Sequence, residues 1–336
     1  MDWSEVMEVK IYEYEYVSGI GEYIESFVKQ KRNAGYPYNS SARILRHFDK
    51  MMLDYFPDLN IITKDTVDCW ISLKPDEHPN GLLRRITPVR QLSNYIKCFD
   101  DDCYIVPGHI PNKQIKYDPH IYTKDELMAF FKVADSLEPS VYSPYREYIA
   151  PVIFRLFFLC GMRHSEVLNL EMEDVNFDER YLRIKESKSW KERKVYFSDE
   201  IRDMLIEYNE IISALKPERR YFFPAVRGEK PISKCSTLNW FHEICDEAFK
   251  DIPLIGTKRV IHSFRHTYAT ERLNRWIEDG VDVNVMYPYF SRYLGHSDYA
   301  DTDYYIKLVS SFYPEMNKRM SSVNEAILPE VLDDEE

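Results

Sequence analysis

The sequence predicts a mainly α-helical chain with one small antiparallel sheet, an α+β protein made of two unequal units. Three observations carry this. Apolar residues recur at helical spacing through most of the 336 residues. One segment, VNFDERYLRIKESKSWKERKVYFS (175–198), instead alternates apolar and polar residues, with breaks at Asp178-Glu179 and 187–191, the pattern of a three-stranded meander. Between the two helical regions, IVPGHIPNKQIKYDPHIYT (105–123) has three prolines and little periodicity, as an interdomain linker would. The expected organisation is an acidic segment (1–17), a helical domain (18–104), a linker (105–122), a second domain (123–324) and an acidic tail (325–336).

The first domain reads as four helices. One spans about 20–34 and stops at Gly35, a residue suited to a left-handed cap. A second follows Asn39 or Ser40, carries Ile44, Leu45, Phe48, Met51 and Met52, and ends before Pro57. A third follows Thr63, with Val67 and Trp70 inward. The fourth starts near Asn80-Gly81 and carries Leu82, Ile86, Val89, Leu92 and Ile96, with Arg84, Arg85 and Arg90 among its polar positions. Pro88 inside it predicts a kink or a split.

In the second domain, Thr123-x-x-Glu126 is a capping box opening a helix to about 137. A long apolar helix over about 145–160 ends at Gly161, and a short one covers about 164–170. After the meander, helices are expected at about 199–213, 236–249, 263–278, 283–294, 301–308 and 312–325.

Composition narrows the function classes. With 44% apolar and 30% charged residues the chain is globular rather than disordered. Its longest apolar stretch, 149–162, is interrupted by Arg155 and falls short of a membrane span. The first residues are acidic and lack the features of a secretory signal, so a cytoplasmic location is expected. The six cysteines form no CxxC pair and no zinc-ligand spacing, and are expected as reduced thiols without a metal site. The net charge of −12 is concentrated at the two ends: residues 1–25 and 325–336 account for all of it. The region between is neutral overall, so net charge does not exclude a nucleic-acid partner.

Four segments carry chemistry. In HSFRHT (262–267), His262 and Arg265 are three apart at the start of a helix, where an imidazole and a guanidinium suit a phosphate oxyanion. In CGMRHSEVLNL (160–170), Arg163 follows the glycine that ends a buried helix, with Glu166 placed to orient it. The hairpin KESKSWKER presents Lys185, Lys188, Lys191 and Arg193. In YLGHSDYADTDYYIKL (293–308), Gly295 places His296 just past a helix end, and Tyr299, Tyr304 and Tyr305 follow. A tyrosine hydroxyl titrates near ~10 and needs cations or a base to act as a nucleophile at neutral pH. Each segment taken alone also fits an ordinary structural role, a packing tyrosine above all.

Taken together and in this order, the segments resemble the tyrosine recombinase (phage integrase) family. GMRHSEVLNL looks like its first-arginine box, ESKSWKERKVYF its lysine hairpin, IHSFRHTYAT its His-x-x-Arg box and YLGHSDYADTDYYIKL its terminal Gly-His…Tyr box. The resemblance covers about 120–320, and the unit before it matches in position and size the family's core-binding domain, a four-helix SAM-like fold. The resemblance implies a site-specific recombinase or integrase that cuts and rejoins double-stranded DNA through a 3′-phosphotyrosyl bond, without metal or ATP. Arg163 and Arg265 would clamp the scissile phosphate, Lys188 would protonate the leaving 5′-oxygen, His262 would be a general acid/base, and His296 would hydrogen-bond the phosphate. The family's spacing makes Tyr305 the nucleophile and leaves Tyr304 to pack. Lys191 is the rival to Lys188, because serines rather than glycines flank Lys188.

Arg84, Arg85, Arg90, Lys191 and Arg193 are the expected DNA contacts. The resemblance further implies two lobes closing on the duplex, a homo-tetramer on two DNA sites, other recombinases as additional partners, and use in integration or excision of a mobile element. The segment 312–325, with Phe312, Met316 and Met320, would pack on a neighbouring protomer or on its own domain. Two other readings use the same residues: a regulator of this fold that binds DNA without cutting it, and a type IB topoisomerase.

Overall fold

A computed structural model describes residues 11–72, 77, 79–108, 118–185, 192–254, 257–296, 298 and 302–306. The chain divides into two compact units, Met1–Tyr117 and Asp118–Glu336.

The first unit holds α1 (Gly21–Asn33), α2 (Asn39–Tyr55), α3 (Lys64–Ile71) and α4 (Pro79–Lys97). Gly35 has φ +85°, the left-handed turn that ends the first helix. Thr63 caps α3 by accepting from the Thr66 backbone N–H. The apolar stripes meet in a core of Ile24, Phe27, Leu45, Phe48, Met52, Ile86, Val89 and Leu92. Buried Asp49 of α2 accepts from the backbone N–H groups of Val17 and Ser18 and from the Ser18 hydroxyl, which ties the entering chain to the bundle. The expected split at Pro88 is absent: α4 is one helix, and the missing proline N–H costs it a single ladder bond. The unit also extends past its predicted end. Val106 is buried in its core and Arg90 donates to the carbonyl of Pro107, so the chain stays tied to this unit through 107.

The second unit contains α5 (Lys124–Asp135), α6 (Arg146–Leu159), α7 (His164–Leu168), a 3-10 turn (Met172–Asp174), strands β1 (Val175–Asn176), β2 (Tyr181–Ile184) and β3 (Arg193–Tyr196), then α8 (Asp199–Leu215), α9 (Lys234–Ala248), α10 (Ile261–Glu278) and α11 (Val283–Leu294). Residues 302–306 form a further helical turn. The sheet is antiparallel in the order β1-β2-β3, with Leu182 opposite Val195. Leu182, Ile184 and Val195 turn one face into the core. That core is rich in phenylalanine: Phe130, Phe154, Phe241 and Phe264 meet around α5, α6, α9 and α10.

Glu126 does two jobs at the entrance to this unit. It completes the predicted capping box with Thr123, and its carboxylate is gripped by His120 and Arg259. Among the described residues, no helix is long and apolar enough to cross a membrane, and no group of three or more His, Cys, Asp or Glu side chains is arranged to hold a metal ion.

Candidate active site

The site is assembled where the ends of α6 and α11 meet the first turns of α7 and α10. Gly161 ends α6 in the left-handed region (φ +60°), and a Cβ there would lie 2.3 Å from the Tyr268 ring. This close approach lets α10 pack against the end of α6. It sets the Arg265 guanidinium to donate to the Gly161 carbonyl at 2.7 Å and to the Leu294 carbonyl at 2.6 Å. Arg265 is 2% exposed, so two carbonyls replace the water it has lost.

Arg163 stands at the N-terminal edge of α7. It donates to Glu166 Oε1 at 2.8 Å and to the Gly295 carbonyl at 2.7 Å, and its backbone N–H donates to Glu166 Oε2 at 2.9 Å. From the other side Arg193 meets the same carboxylate with both prongs, at 3.0 and 2.7 Å, while its Nε donates to the Tyr293 carbonyl. Burial pushes the Glu166 carboxyl up. The hydrogen bonds and charges of Arg193 and then Arg163 outweigh it and hold the group below the ordinary carboxylate range. One buried anion thus fixes two guanidiniums.

Gly295 ends α11 at φ +67°, as expected of the glycine before His296. It has a second reason to be glycine. A Cβ there would fall 2.7 Å from Arg193 Nη1 and 3.0 Å from Arg163 Nη1, so the backbone itself is the wall against which both arginines rest. His296 then sits with Nε2 3.1 Å from Arg265 Nη2 and Nδ1 2.7 Å from the Thr302 hydroxyl. A guanidinium can only donate, so Nε2 accepts and Nδ1 carries the proton and donates to Thr302. Burial and then the charges of Arg265, Arg163 and Arg193 pull the His296 pKa down to about 3, keeping it neutral.

The His296 ring stacks on Tyr305 at 5.8 Å between centroids and only 4° between planes. Tyr305 also meets His266 at 5.5 Å. His262 presents an open side to solvent, and its ring meets that of His266 edge-on at 4.6 Å. Desolvation by the surrounding protein, then the charges of Arg265 and Arg163, lower its pKa to about 4. Water at the open side screens both effects without changing their sign. Two arginines, two neutral histidines and one tyrosine therefore converge. Such a set can bind an anionic oxygen pair and present a phenol beside it.

A model of the phage integrase family matches residues 121–311. The chain belongs to that family. Among its relatives is the provisionally named integrase/recombinase y4rB of Sinorhizobium fredii, 25% identical over 310 residues, spanning 88% of this chain and 95% of that one. Another is the tyrosine recombinase XerA of Pyrococcus horikoshii, 27% identical over 197 residues, spanning 59% of this chain and 60% of that one. Its fold is similar to that of the XerH site-specific recombinase in a post-cleavage complex with its palindromic difH substrate, with a TM-score of 0.64 at 21% identity, over 90% of this chain and 84% of that one. This integrase-family chain is an enzyme of the tyrosine-recombinase type.

Of the residues singled out in the sequence, the structure brings Arg163, His262, Arg265, His296 and Tyr305 into one site. Lys188 and Lys191 lie outside the described residues. Lys185, at the described end of β2, is engaged by Glu171, Glu173 and Asp174.

Two expected DNA contacts are corrected. Arg193 is 9% exposed and holds Glu166, because period-two alternation along β3 puts it on the same inward face as Val195. Arg85 is also 9% exposed; it grips Glu77 with two prongs, donates to the Ser72 carbonyl and lies over the Trp70 ring. Arg84 is exposed, as a DNA contact requires. Both tyrosines pack against the apolar cluster of α10 and α11. Tyr305 is 3% exposed and Tyr304 is half-buried, because the site is sunk against α10, and facing its arginines means being buried.

Sequence reasoning missed four contributors. They are His266, Thr302, the Gly295 wall, and the bond from the Tyr287 hydroxyl to Asp303 that ties α11 to the tyrosine-bearing turn. Only His266, adjacent to Arg265 in HSFRHT, left a signal in the sequence.

Proposed function

We propose that this protein is a site-specific DNA recombinase that cleaves and rejoins duplex DNA through Tyr305. The observation that carries the proposal is the contact chain from Arg265 to His296 Nε2 and on to the stacked Tyr305 ring. Arg163 and Arg265 hold the non-bridging oxygens of the scissile phosphate. Both are fixed in advance, Arg265 by the Gly161 and Leu294 carbonyls and Arg163 by Glu166 and the Gly295 carbonyl, so their donors need little reorganisation as charge builds at phosphorus. Tyr305 attacks phosphorus: its Oη–P bond forms as the phenolic proton passes by way of His262 to solvent, and the P–O5′ bond breaks as the 5′-oxygen takes a proton from Lys188. His262 exchanges protons at the open side of the site, and His296, its Nε2 accepting from Arg265 and its Nδ1 donating to Thr302, steadies Arg265 instead of bonding the phosphate as the sequence led us to expect. The phosphotyrosyl bond retains the phosphoester's free energy, so the 5′-hydroxyl of the exchanged strand reverses the step.

Strand exchange between two duplexes needs two cuts on each, which supports a homo-tetramer on paired sites. The y4rB relative's naming as an integrase supports integration or excision of a mobile element as the use. The test is covalent trapping. A site selected by this protein from a random duplex pool is rebuilt as a nicked suicide duplex. A 3′-linked adduct with the wild type and none with Tyr305→Phe is expected. No wild-type adduct would favour a binding regulator, and relaxation of plasmids lacking the site would favour a topoisomerase.

A further inference from the structure

His266 is 9% exposed, and its Nδ1 is buried with no hydrogen-bond partner. Burial, then the neighbouring His262, Arg265 and His296, lower its pKa to about 3, so the ring is neutral with one bare nitrogen. It lies one helical turn after His262, whose ring it meets edge-on at 4.6 Å. On its other side are the rings of Tyr304 at 5.9 Å and Tyr305 at 5.5 Å. A phenylalanine would fill the same space without burying an unpaired polar atom. An orphan of this kind costs stability, and its ring sits against that of the tyrosine whose alignment decides the reaction.

We propose that His266 is a positioning residue for the nucleophile: its Nδ1 accepts the hydrogen bond of the Tyr305 hydroxyl once a phosphate occupies the arginine pair. This deepens the recombinase reading above and rests on it. An acceptor on the phenolic proton fixes the Cζ–Oη rotor. A lone pair of Oη then points at phosphorus while the proton points away. Arg163 and Arg265 cannot do this because they are donors only. His296 cannot either, because its Nε2 and Nδ1 are committed to Arg265 and Thr302. His262, at the open side, is left to exchange the proton with solvent.

The experiment compares full-length His266→Phe and His266→Asn in single-turnover adduct formation on the nicked suicide duplex. Asparagine can place an oxygen close to the Nδ1 position, whereas phenylalanine keeps only the ring's bulk. We expect His266→Phe to bind the duplex as wild type does, to melt at or above the wild-type temperature, and to form adduct about 100-fold more slowly, the scale of a misaligned attacking group. His266→Asn should recover most of that rate despite filling the space less well. A purely structural role gives the opposite order, with phenylalanine active and asparagine impaired, and that result overturns the proposal. A duplex with sulfur replacing the bridging 5′-oxygen supplies a second check, because a thiolate leaves without a proton. The His266→Phe defect should persist on it, and rescue would move His266 to the leaving-group side and overturn the proposal. If wild type forms no adduct, the recombinase reading falls and the proposal with it; a normal rate for His266→Phe removes the proposal alone.

Discussion

Arg193 and Glu166 meet face to face beneath the catalytic surface, with Nη1 3.0 Å from Oε1 and Nη2 2.7 Å from Oε2. The pair is 9% and 5% exposed, and Glu166 also holds Arg163. Stranding a buried charge outright costs about 3–5 kcal/mol, and because Glu166 keeps Arg163, losing Arg193 costs less than that, on the order of 2 kcal/mol. Arg193→Met is therefore expected to lower stability by that order in urea unfolding. It should also reduce adduct formation more than it reduces DNA affinity, because Arg163 loses its fixed anchor. The folded Glu166 pKa is depressed, so its contribution is present at neutral pH and lost as pH falls through the folded value.

Gly295→Ala should be disproportionately damaging for one methyl group. The residue is at φ +67°, which costs a non-glycine residue roughly 1–2 kcal/mol. Its Cβ would also press on Arg163 and Arg193. A lowered melting temperature together with a loss of trapping larger than that of a surface Gly228→Ala control, also at positive φ, checks this.

Tyr305→Phe should abolish the covalent adduct and leave DNA binding intact, whereas Tyr304→Phe should retain adduct formation within a few-fold. The physical basis is the turn of roughly 100° between adjacent helical residues, which directs only one of them at the His296–Arg265 pair. Mass spectrometry of the trapped peptide identifies the tyrosine directly.

Stability should fall with acid below about pH 6.5. His164, His266 and His296 have folded pKa values of about 4, 3 and 3, with burial the leading cause in each. Between these values and about 6.5 the unfolded chain binds protons that the folded chain refuses, so stability rises with pH across that window and falls on acidification. The urea midpoint should drop from pH 7 to pH 5. His164→Phe, at a ring whose Nε2 meets Thr237 outside the site, should flatten the dependence.

Arg84 and Arg85, adjacent on α4, should separate cleanly. Arg84→Ala is expected to weaken DNA binding across sequences and to reduce the slope of log affinity against log salt by about 1. Arg85→Ala should act on folding instead, because it strips Glu77 and the Trp70 ring of their shared partner. Salt-series binding and thermal unfolding of both variants distinguish the two outcomes.

Much of this protein was determined by sequence alone, wherever the deciding physics is local. Thr63 and Thr123 announce helix starts because a cap bonds three residues ahead. Gly35, Gly161 and Gly295 announce helix ends because few other residues tolerate a left-handed turn. Arg163, His262, Arg265, His296 and Tyr305 were legible through the resemblance to the tyrosine recombinase family, whose boxes follow one another in that order. Tertiary structure decided what depends on residues far apart in the chain. It turned Arg193 from a DNA contact into the anchor of Glu166, 27 residues away. It set Arg85 inward and Arg84 outward on one helix, and it buried Tyr305 more deeply than Tyr304. A charge's partner is a matter of which surfaces meet, and no local pattern records that. Gly295 shows both levels in one residue: its turn is written in the sequence, while the two guanidiniums pressed against it come from β3 and the start of α7.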